Sequence, residues 1–475
     1  MRPWVARGLV FVSSGAVLVL EIVAGRLLAP YVGVSLESFT GIIGVVLAGI
    51  AIGAWLGGWA ADRYDATKLL GPALVLGGVL VWLSLPISRA LGEQFGDDSM
   101  AILVLSCASF FLPAMTLSTV PPMVVKIRLS DLGETGSVVG GLSAAGTAGA
   151  LAGTFLTGFV LIAAFSNTTI VVAIGAAVVV VGLVVQLRRP SIVPNVLLLI
   201  VVVAGLATTL ASSSPCDHET DYACVDIETD PANVTGRSLY LDRLRHAYVD
   251  LADPTNLDLR YIRVFAEVAD SLPSGPLTTL HLGGGGFTFP RYLQSVRPGA
   301  TDLVLEIDAD LVDIAETELG LETGPTLRVR TGDARLTIRD LPANGYDLVA
   351  GDAFSGNSVP WHLTTKEFLT DLDRVLKPEG LYVMNVIDSG ANRFARAEAA
   401  TLSEVFDHVA VVLPATGIPS QRGVNQVLIA SQTPLPPMDI VGTDGVLFPM
   451  PISAFIDGAT SLEDDFAPVA QLMRG

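Results

Sequence analysis

Four short segments in the C-terminal half carry residue types that together could hold a nucleotide and accept a proton. The first is Gly283-Gly284-Gly285-Gly286, which follows the run Leu277-Thr-Thr-Leu-His-Leu282. Such a loop after a strand lets the backbone approach a nucleotide closely, and the N-terminus of the next helix adds a favourable dipole. A plain tight turn uses the same residues, so the loop gains meaning only from its surroundings. Leu305-Glu306-Ile307-Asp308 places a carboxylate about twenty positions past the glycines, where it can take both ribose hydroxyls. Thr331-Gly332-Asp333-Ala334 and Val349-Ala350-Gly351-Asp352-Ala353-Phe354 end two further expected strands. One acidic residue at a strand end is usually a turn former or helix cap. Glu306, Asp333 and Asp352, in register behind a glycine loop, instead offer a row of carboxylates along one crevice.

The elements that must position them are strands at 278–282, 302–307, 326–330, 347–351, 380–386, 408–413 and 425–430, alternating with helical stretches. This alternation predicts a mostly parallel sheet with helices on both faces, in which ligands sit outside the carboxyl ends of the strands. Residues 237–268 alternate enough to suggest a small hairpin before a helix, and 212–233 are polar and turn-rich, as in a linker. The tail from Pro434 begins Pro-rich and carries no readable pattern.

The N-terminal half is of another kind. A chain that is 51% hydrophobic and 16% charged, with mean hydropathy +0.57, is too apolar to be soluble throughout. Seven runs, 8–28, 39–60, 69–87, 101–123, 138–164, 168–187 and 192–211, approach the ~20 helical residues that cross a ~30 Å hydrocarbon core. Small residues crowd several of them, as in Gly141-Leu-Ser-Ala-Ala-Gly-Thr-Ala-Gly149, and such faces let membrane helices approach closely. The expected fold is an α-helical transmembrane bundle of about seven spans (1–211), a linker (212–236), an α/β Rossmann-like domain preceded by a small β-hairpin region (237–435), and a tail (436–475).

Residues 237–430 resemble the spermidine synthase family, aminopropyltransferases built on the methyltransferase-type Rossmann fold. The resemblance rests on Ser238-Leu-Tyr-Leu-Asp242, the Gly283–Gly286 loop, Glu306-Ile-Asp308, Gly332-Asp-Ala334, and Asp352 followed by Leu363-Thr-Thr-Lys-Glu-Phe368. It implies that Gly283, Gly284, Gly285, Glu306, Asp308, Asp333 and Ala334 bind an adenosyl-sulfonium co-substrate, with Glu306 on the ribose and Asp333 reading the adenine amino group. It puts Asp352 at the position of the family's catalytic acid. A protonated amine is no nucleophile, so a carboxylate there would take its proton and hold it facing the sulfonium-bound carbon. No metal is needed for this chemistry, and no convincing metal-ligand cluster stands in the sequence.

The departures bear on the acceptor. Gly286 and Phe287 replace the Asp-Gly that continues the family's loop, and Ser355 and Gly356 stand where the family has a second Asp and a Pro. The family's lid motif, Asp-Glu followed by Tyr-x-Glu, has only a loose echo in Asp253-Pro-Thr-Asn-Leu-Asp-Leu-Arg-Tyr261. The missing carboxylates are those that hold cationic amines, so the nucleotide pocket carries over better than polyamine recognition does. Three functions follow: a membrane-anchored aminopropyltransferase using decarboxylated S-adenosylmethionine and a polyamine-like amine; a methyltransferase using S-adenosylmethionine; or a non-catalytic nucleotide- or polyamine-binding sensor or carrier. The chain could also form a homo-oligomer.

The membrane half has its own resemblance. Leu20-Glu-Ile-Val-Ala-Gly-Arg26 and Gly57-Gly-Trp-Ala-Ala-Asp-Arg63 are similar to the membrane region fused to spermidine synthase-like domains in bacteria, which implies a bacterial cell membrane. The second stretch also looks like a cytoplasmic loop of major facilitator transporters. Glu21, inside the first run, is a functional candidate or a paired group within the bundle.

Charge excludes one partner and orients the chain. Residues 1–211 carry 10 Lys and Arg against 9 Asp and Glu; residues 212–475 carry 18 against 38. That acidity argues against nucleic acid, whose phosphates are held by Lys and Arg. Short cytoplasmic loops collect Lys and Arg. Arg2, Arg7, Arg63, Lys68, Lys126, Arg128, Arg188 and Arg189 fall in one set of alternate loops and Arg89 alone in the other. The N-terminus is therefore expected in the cytoplasm, and seven spans would put residues 212–475 outside it. An oxidising exterior would allow a disulfide between Cys216 and Cys224. Splitting residues 138–164 into two spans would return the domain to the cytoplasm, where adenosyl co-substrates are made.

Overall fold

The computed structural model describes the chain except for residues 34–35, 93, 95–98, 130–134, 188–191, 213, 243, 355, 357, 418–422, 449 and 474–475. Ser355, Arg188 and Arg189, used above, lie outside the described residues. The chain forms two compact units, Met1–Cys224 and Val225–Gly475.

Among the described residues of the first unit, six helices are long and apolar enough to cross a membrane: Pro3–Val32, Leu36–Arg63, Ala66–Gly92, Met100–Arg128, Thr135–Ala164 and Asn167–Leu187. The expected seventh run also forms a helix, Ile192–Ala211, but its fully described part, Asn195–Ala211, is shorter than those six. The run at 138–164 stays one span, not two, with a wider π turn at Thr157–Leu161. Glycines set the packing distances. A Cβ at Gly53 would overlap the Met115 carbonyl, and one at Gly149 the Phe11 carbonyl, so these helix pairs meet backbone to backbone. Beyond the last helix, Cys216 and Cys224 form a disulfide with their Cα atoms 5.4 Å apart. Within the loop it closes, the Thr220 carbonyl accepts from Arg26.

The second unit begins with antiparallel strands. With His218–Glu219 of the first unit as β1, these are β2 (Cys224–Asp230), β3 (Asn233–Leu241) and β4 (Leu244–Asp250), in the order β2-β3-β4. Strand β2 lies in the stretch read as linker. Its apolar residues are only Cys224, Val225 and Ile227, too few among Asp, Glu and Thr to stand out in sequence. A helix at Arg260–Asp270 follows. The main sheet then uses β5 (Thr278–Leu282), β6 (Thr301–Glu306), β7 (Leu327–Thr331), β8 (Tyr346–Gly351), β9 (Leu376–Asp388), β10 (His408–Pro414), β11 (Val424–Ser431) and β12 (Gly445–Leu447). Its order is β12-β10-β11-β9-β8-β5-β6-β7, parallel from β9 to β7 and antiparallel through β11, β10 and β12. All seven expected strands are present.

Period-two alternation divides the core between the two faces of this sheet. Leu348, Ala350, Leu381, Val383, Val427 and Ile429 pack with the helices Arg260–Asp270 and Thr288–Val296. Their neighbours Val349, Tyr382, Met384, Leu428 and Ala430 pack with Lys366–Val375 and Arg393–Val405. The tail is part of this second layer, with Phe455, Leu462 and Val469 buried in it.

One core residue opposes its surroundings. Glu398 is 0% exposed, and neither carboxylate oxygen has a hydrogen-bond partner among the described residues. Burial holds its carboxyl well above the usual range, so it is a neutral acid in the fold. A raised folded-state pKa contributes stability at low pH that is lost as pH rises through that value. Glu398→Leu is therefore expected to stabilise the protein by roughly 1–3 kcal/mol, the cost of an unpaired buried polar group. The gain should grow with pH, read as a melting-temperature difference at about pH 6 and about pH 9; a variant less stable at both would refute this.

Candidate functional site

Strand order reverses at β5. The chain runs from β5 outward to β6 and β7, then returns to β8 on the other side of β5. In open α/β sheets a ligand crevice opens at such a switch point, outside the carboxyl ends of the strands. Here those ends are Leu282-Gly283 and Gly351-Asp352, joined by the Asp352 N–H donating to the Leu282 carbonyl at 2.9 Å. A Cβ at Gly283 would fall 2.5 Å from the Asp352 carbonyl, and Gly283 has φ +92°, so only glycine fits there.

The glycine loop is held from one side by Glu306. Its Oε2 accepts from the N–H groups of Gly284 at 2.7 Å and Gly285 at 3.4 Å, and its Oε1 from that of Asp308 at 2.9 Å. Burial pushes this carboxyl above the usual carboxylate range against the pull of those three donors. A carboxylate has about four acceptor positions, so Glu306 retains capacity for a further donor. Strand β4 fixes the other side. A Cβ on Gly286 would meet the Ala247 side chain, and Thr288 Oγ1 donates to the Tyr248 carbonyl at 2.9 Å. No acidic side chain could stand at Gly286 with this packing. Phe287 adopts a left-handed φ of 55°, compensated by complete burial of its ring over Gly284.

Asp352 lies across the crevice, and both its oxygens are engaged. Oδ2 accepts from the Tyr261 hydroxyl and Oδ1 from Asn385 Nδ2, each at 2.9 Å. Loss of solvent raises this carboxyl to about 6, moderated by the Asn385 and Tyr261 donors and by nearby His281. The open cleft beside it is lined by His246, Tyr261, Phe265, the four glycines, Phe289 and Asp352, among others. His246, edge-on to Phe354, is held neutral by burial, which lowers its imidazole to about 4.

The structure thus brings Gly283, Gly284, Gly285, Glu306 and Asp352 together. Asp308 and Asp333 sit at the ends of β6 and β7 as helix N-caps. Asp308 Oδ1 accepts from the N–H of Asp310 and Leu311, and Asp333 Oδ1 from that of Arg335 and Leu336. Asp333 Oδ2 lies 3.2 Å from His362 Nε2, and Ala334 is buried as the first residue of its helix. Among the described residues no group of three or more His, Cys, Asp or Glu is placed to hold a metal. Sequence reasoning missed His246, Asn385 and Asn425. Tyr261 appeared only as the end of the loose lid echo, and that echo was the available signal.

A Gly-rich turn at the switch point of a Rossmann-type sheet, with an acid after the second strand, is the arrangement of a methyltransferase-type Rossmann fold. No family model matches the chain. The polyamine aminopropyltransferase of Vibrio vulnificus (strain CMCP6) is 32% identical over 163 residues, which are 34% of this chain and 52% of that protein. The chain thus spans about half the length of that curated relative. The eEF1A lysine and N-terminal methyltransferase of Danio rerio is 26% identical over 168 residues, 33% of this chain and 23% of that protein. A crystal structure of a probable spermidine synthase from Corynebacterium glutamicum ATCC 13032 is similar with TM-score 0.50 and 26% identity, covering 54% of this chain and 99% of that one. In sequence and fold the C-terminal unit is spermidine synthase-like.

Proposed function

We propose that this chain is a membrane-anchored aminopropyltransferase. It transfers the aminopropyl group of decarboxylated S-adenosylmethionine to a polyamine-like amine, with Asp352 as base. The observation that carries the reading is Asp352 itself, a carboxyl raised to about 6, facing the cleft beside the glycine loop. A base poised near the working pH accepts a proton efficiently yet is largely ionised at neutrality. The acceptor nitrogen gives its proton to Asp352 and attacks the carbon next to the sulfonium. The new C–N bond forms as the C–S bond breaks, and methylthioadenosine leaves with the electron pair on sulfur. Gly283, Gly284 and Gly285 offer close backbone approach to the nucleoside, Glu306 accepts from a ribose hydroxyl with its remaining acceptor position, and Asp308, Asp333 and Ala334 border the adenine end.

Calorimetry on the full-length protein in detergent tests this, with both adenosyl co-substrates. Tighter binding of the decarboxylated form is expected. Preference for S-adenosylmethionine itself would favour methyl transfer, the reading to which the Danio rerio relative points. Binding of neither overturns both.

The membrane placement is part of the same proposal. Ile192–Ala211 has 20 residues, about 30 Å of helix and so one hydrocarbon thickness. It retraces the sixth helix end to end. Gln186 Nε2 donates to Asn195 Oδ1 at 3.0 Å near one end, and Arg89 donates to Ser212 and to Thr168 at the other. Asp62–Lys126 and Arg128 with the Met1 carbonyl mark the opposite, Lys- and Arg-rich end of the bundle. Seven crossings put the C-terminal unit outside the cytoplasm, with the Cys216–Cys224 disulfide. In intact cells of a Cys107→Ser variant, an impermeant thiol reagent is expected to label Cys216 and Cys224 only after reduction. Labelling that waits for lysis places the unit inside.

A further inference from the structure

Asp352 is the end of a chain of side chains drawn from three separate elements. Asn385, on β9, donates from Nδ2 to Asp352 Oδ1 at 2.9 Å and accepts on its own Oδ1 from Asn425 Nδ2 at 3.0 Å. Asn425 stands on β11, antiparallel to β9, and its backbone carbonyl accepts from Arg260 Nη2. Arg260 adjoins Tyr261 in the first turn of the helix Arg260–Asp270, and Tyr261 donates to the other Asp352 oxygen at 2.9 Å. The ring of contacts is closed: helix to β11, β11 to β9, β9 to Asp352, and Asp352 back to the helix.

An amide is fixed by such a ring in a way that a hydroxyl is not. With its oxygen occupied by Asn425, the Asn385 side chain can present only N–H to Asp352. Asn385 is 2% exposed, so water cannot replace that donor readily. We infer that Asn385, braced by Asn425, is a positioning residue that holds the Asp352 carboxylate in its ionised, cleft-facing form. The inference rests on the reading of Asp352 as the base. A hydrogen bond to the charged form favours that form, and Asn385 is the foremost donor opposing the burial that raises Asp352 to about 6. The other groups around this carboxyl are Tyr261 from the helix, His281 from β5 and His246 from β4, all lining the same cleft, with Arg260 one contact further away through Asn425.

Removing the Asn385 donor leaves burial less opposed, so Asp352 holds its proton to higher pH. The carboxyl band of Asp352 in the infrared, assigned as the band lost in Asp352→Asn, can be titrated in full-length protein from about pH 4 to about pH 8. Asn385→Ala is expected to raise its midpoint by about one pH unit, and Asn425→Ala to raise it by less, since only the brace is lost. Asn385→Ser, too short to reach, should match Asn385→Ala and serves if the alanine variant does not fold. The band reports on Asp352 whether or not the chain turns over an amine, so failure of aminopropyl transfer and failure of this inference are read separately. An unchanged midpoint in the folded Asn385 variants, whatever their melting temperatures, overturns it.

Discussion

Asp352→Asn is expected to lower amine transfer by about 10²–10⁴-fold, the usual contribution of a positioned general base. An amide cannot take the proton of an incoming ammonium. Affinity for the adenosyl co-substrate should stay within a few-fold, because Glu306 and the glycine loop are untouched. Structure adds a second consequence. Both Asp352 oxygens accept from donors, Tyr261 and Asn385, so an asparagine there must turn its own N–H₂ toward one of them. The lost hydrogen bond should cost about 1 kcal/mol, and activity must be compared in folded protein. In the unsubstituted chain, transfer should rise with pH through about 6, where Asp352 loses its proton. A folded Asp352→Asn variant with full turnover would remove Asp352 from the mechanism.

The second large effect is at Glu306. Glu306→Ala is expected to weaken adenosyl co-substrate binding by roughly 1.5–3 kcal/mol, the range for hydrogen bonds to a charged group. As a strand-end carboxylate facing a crevice, Glu306 reads in sequence as dispensable for folding, but its geometry is otherwise. It satisfies the N–H groups of Gly284, Gly285 and Asp308 from a 5% exposed position. Losing it leaves one buried donor, Asp308, and two half-buried ones, Gly284 and Gly285, without their acceptor, so stability should also fall by about 1–3 kcal/mol. Glu306→Gln separates the two effects. It retains an acceptor for part of the loop but not the charge that strengthens contact with ribose hydroxyls. Calorimetry at a temperature where both variants are folded reads the binding loss; unchanged affinity in both would place the nucleoside elsewhere.

Much of this was legible because the sheet announces itself. Strands such as Leu348–Ala350 and Leu381–Met384 are continuous apolar runs, as strands buried on both faces must be, and each is followed by a glycine or polar residue, Gly351 and Asn385. The glycine loop, Glu306 and Asp352 could therefore be aligned from spacing alone. The Asp352 partners could not. Asn385 and Asn425 lie 40 positions apart and meet only because β11 returns antiparallel beside β9, a strand order that periodicity does not encode. Strand β2 was hidden by its acidic residues. The tail was unreadable because its buried anchors Phe455 and Val469 stand on helices of only five and four residues, Ile452–Ile456 and Val469–Leu472, too short to show a helical period. With Leu462 they dock on a layer formed by distant helices. Asp308 and Asp333 show the opposite hazard. Both are in the expected place, and both use one oxygen as a helix cap, the commoner job for a strand-end acid.

Full-length protein in detergent, given decarboxylated S-adenosylmethionine and a panel of primary amines and diamines, should release methylthioadenosine in step with an amine heavier by one aminopropyl group, both read by mass spectrometry. Neither product should appear with Asp352→Asn. Formation of S-adenosylhomocysteine and a methylated product from S-adenosylmethionine, with no methylthioadenosine from the decarboxylated form, would contradict the account.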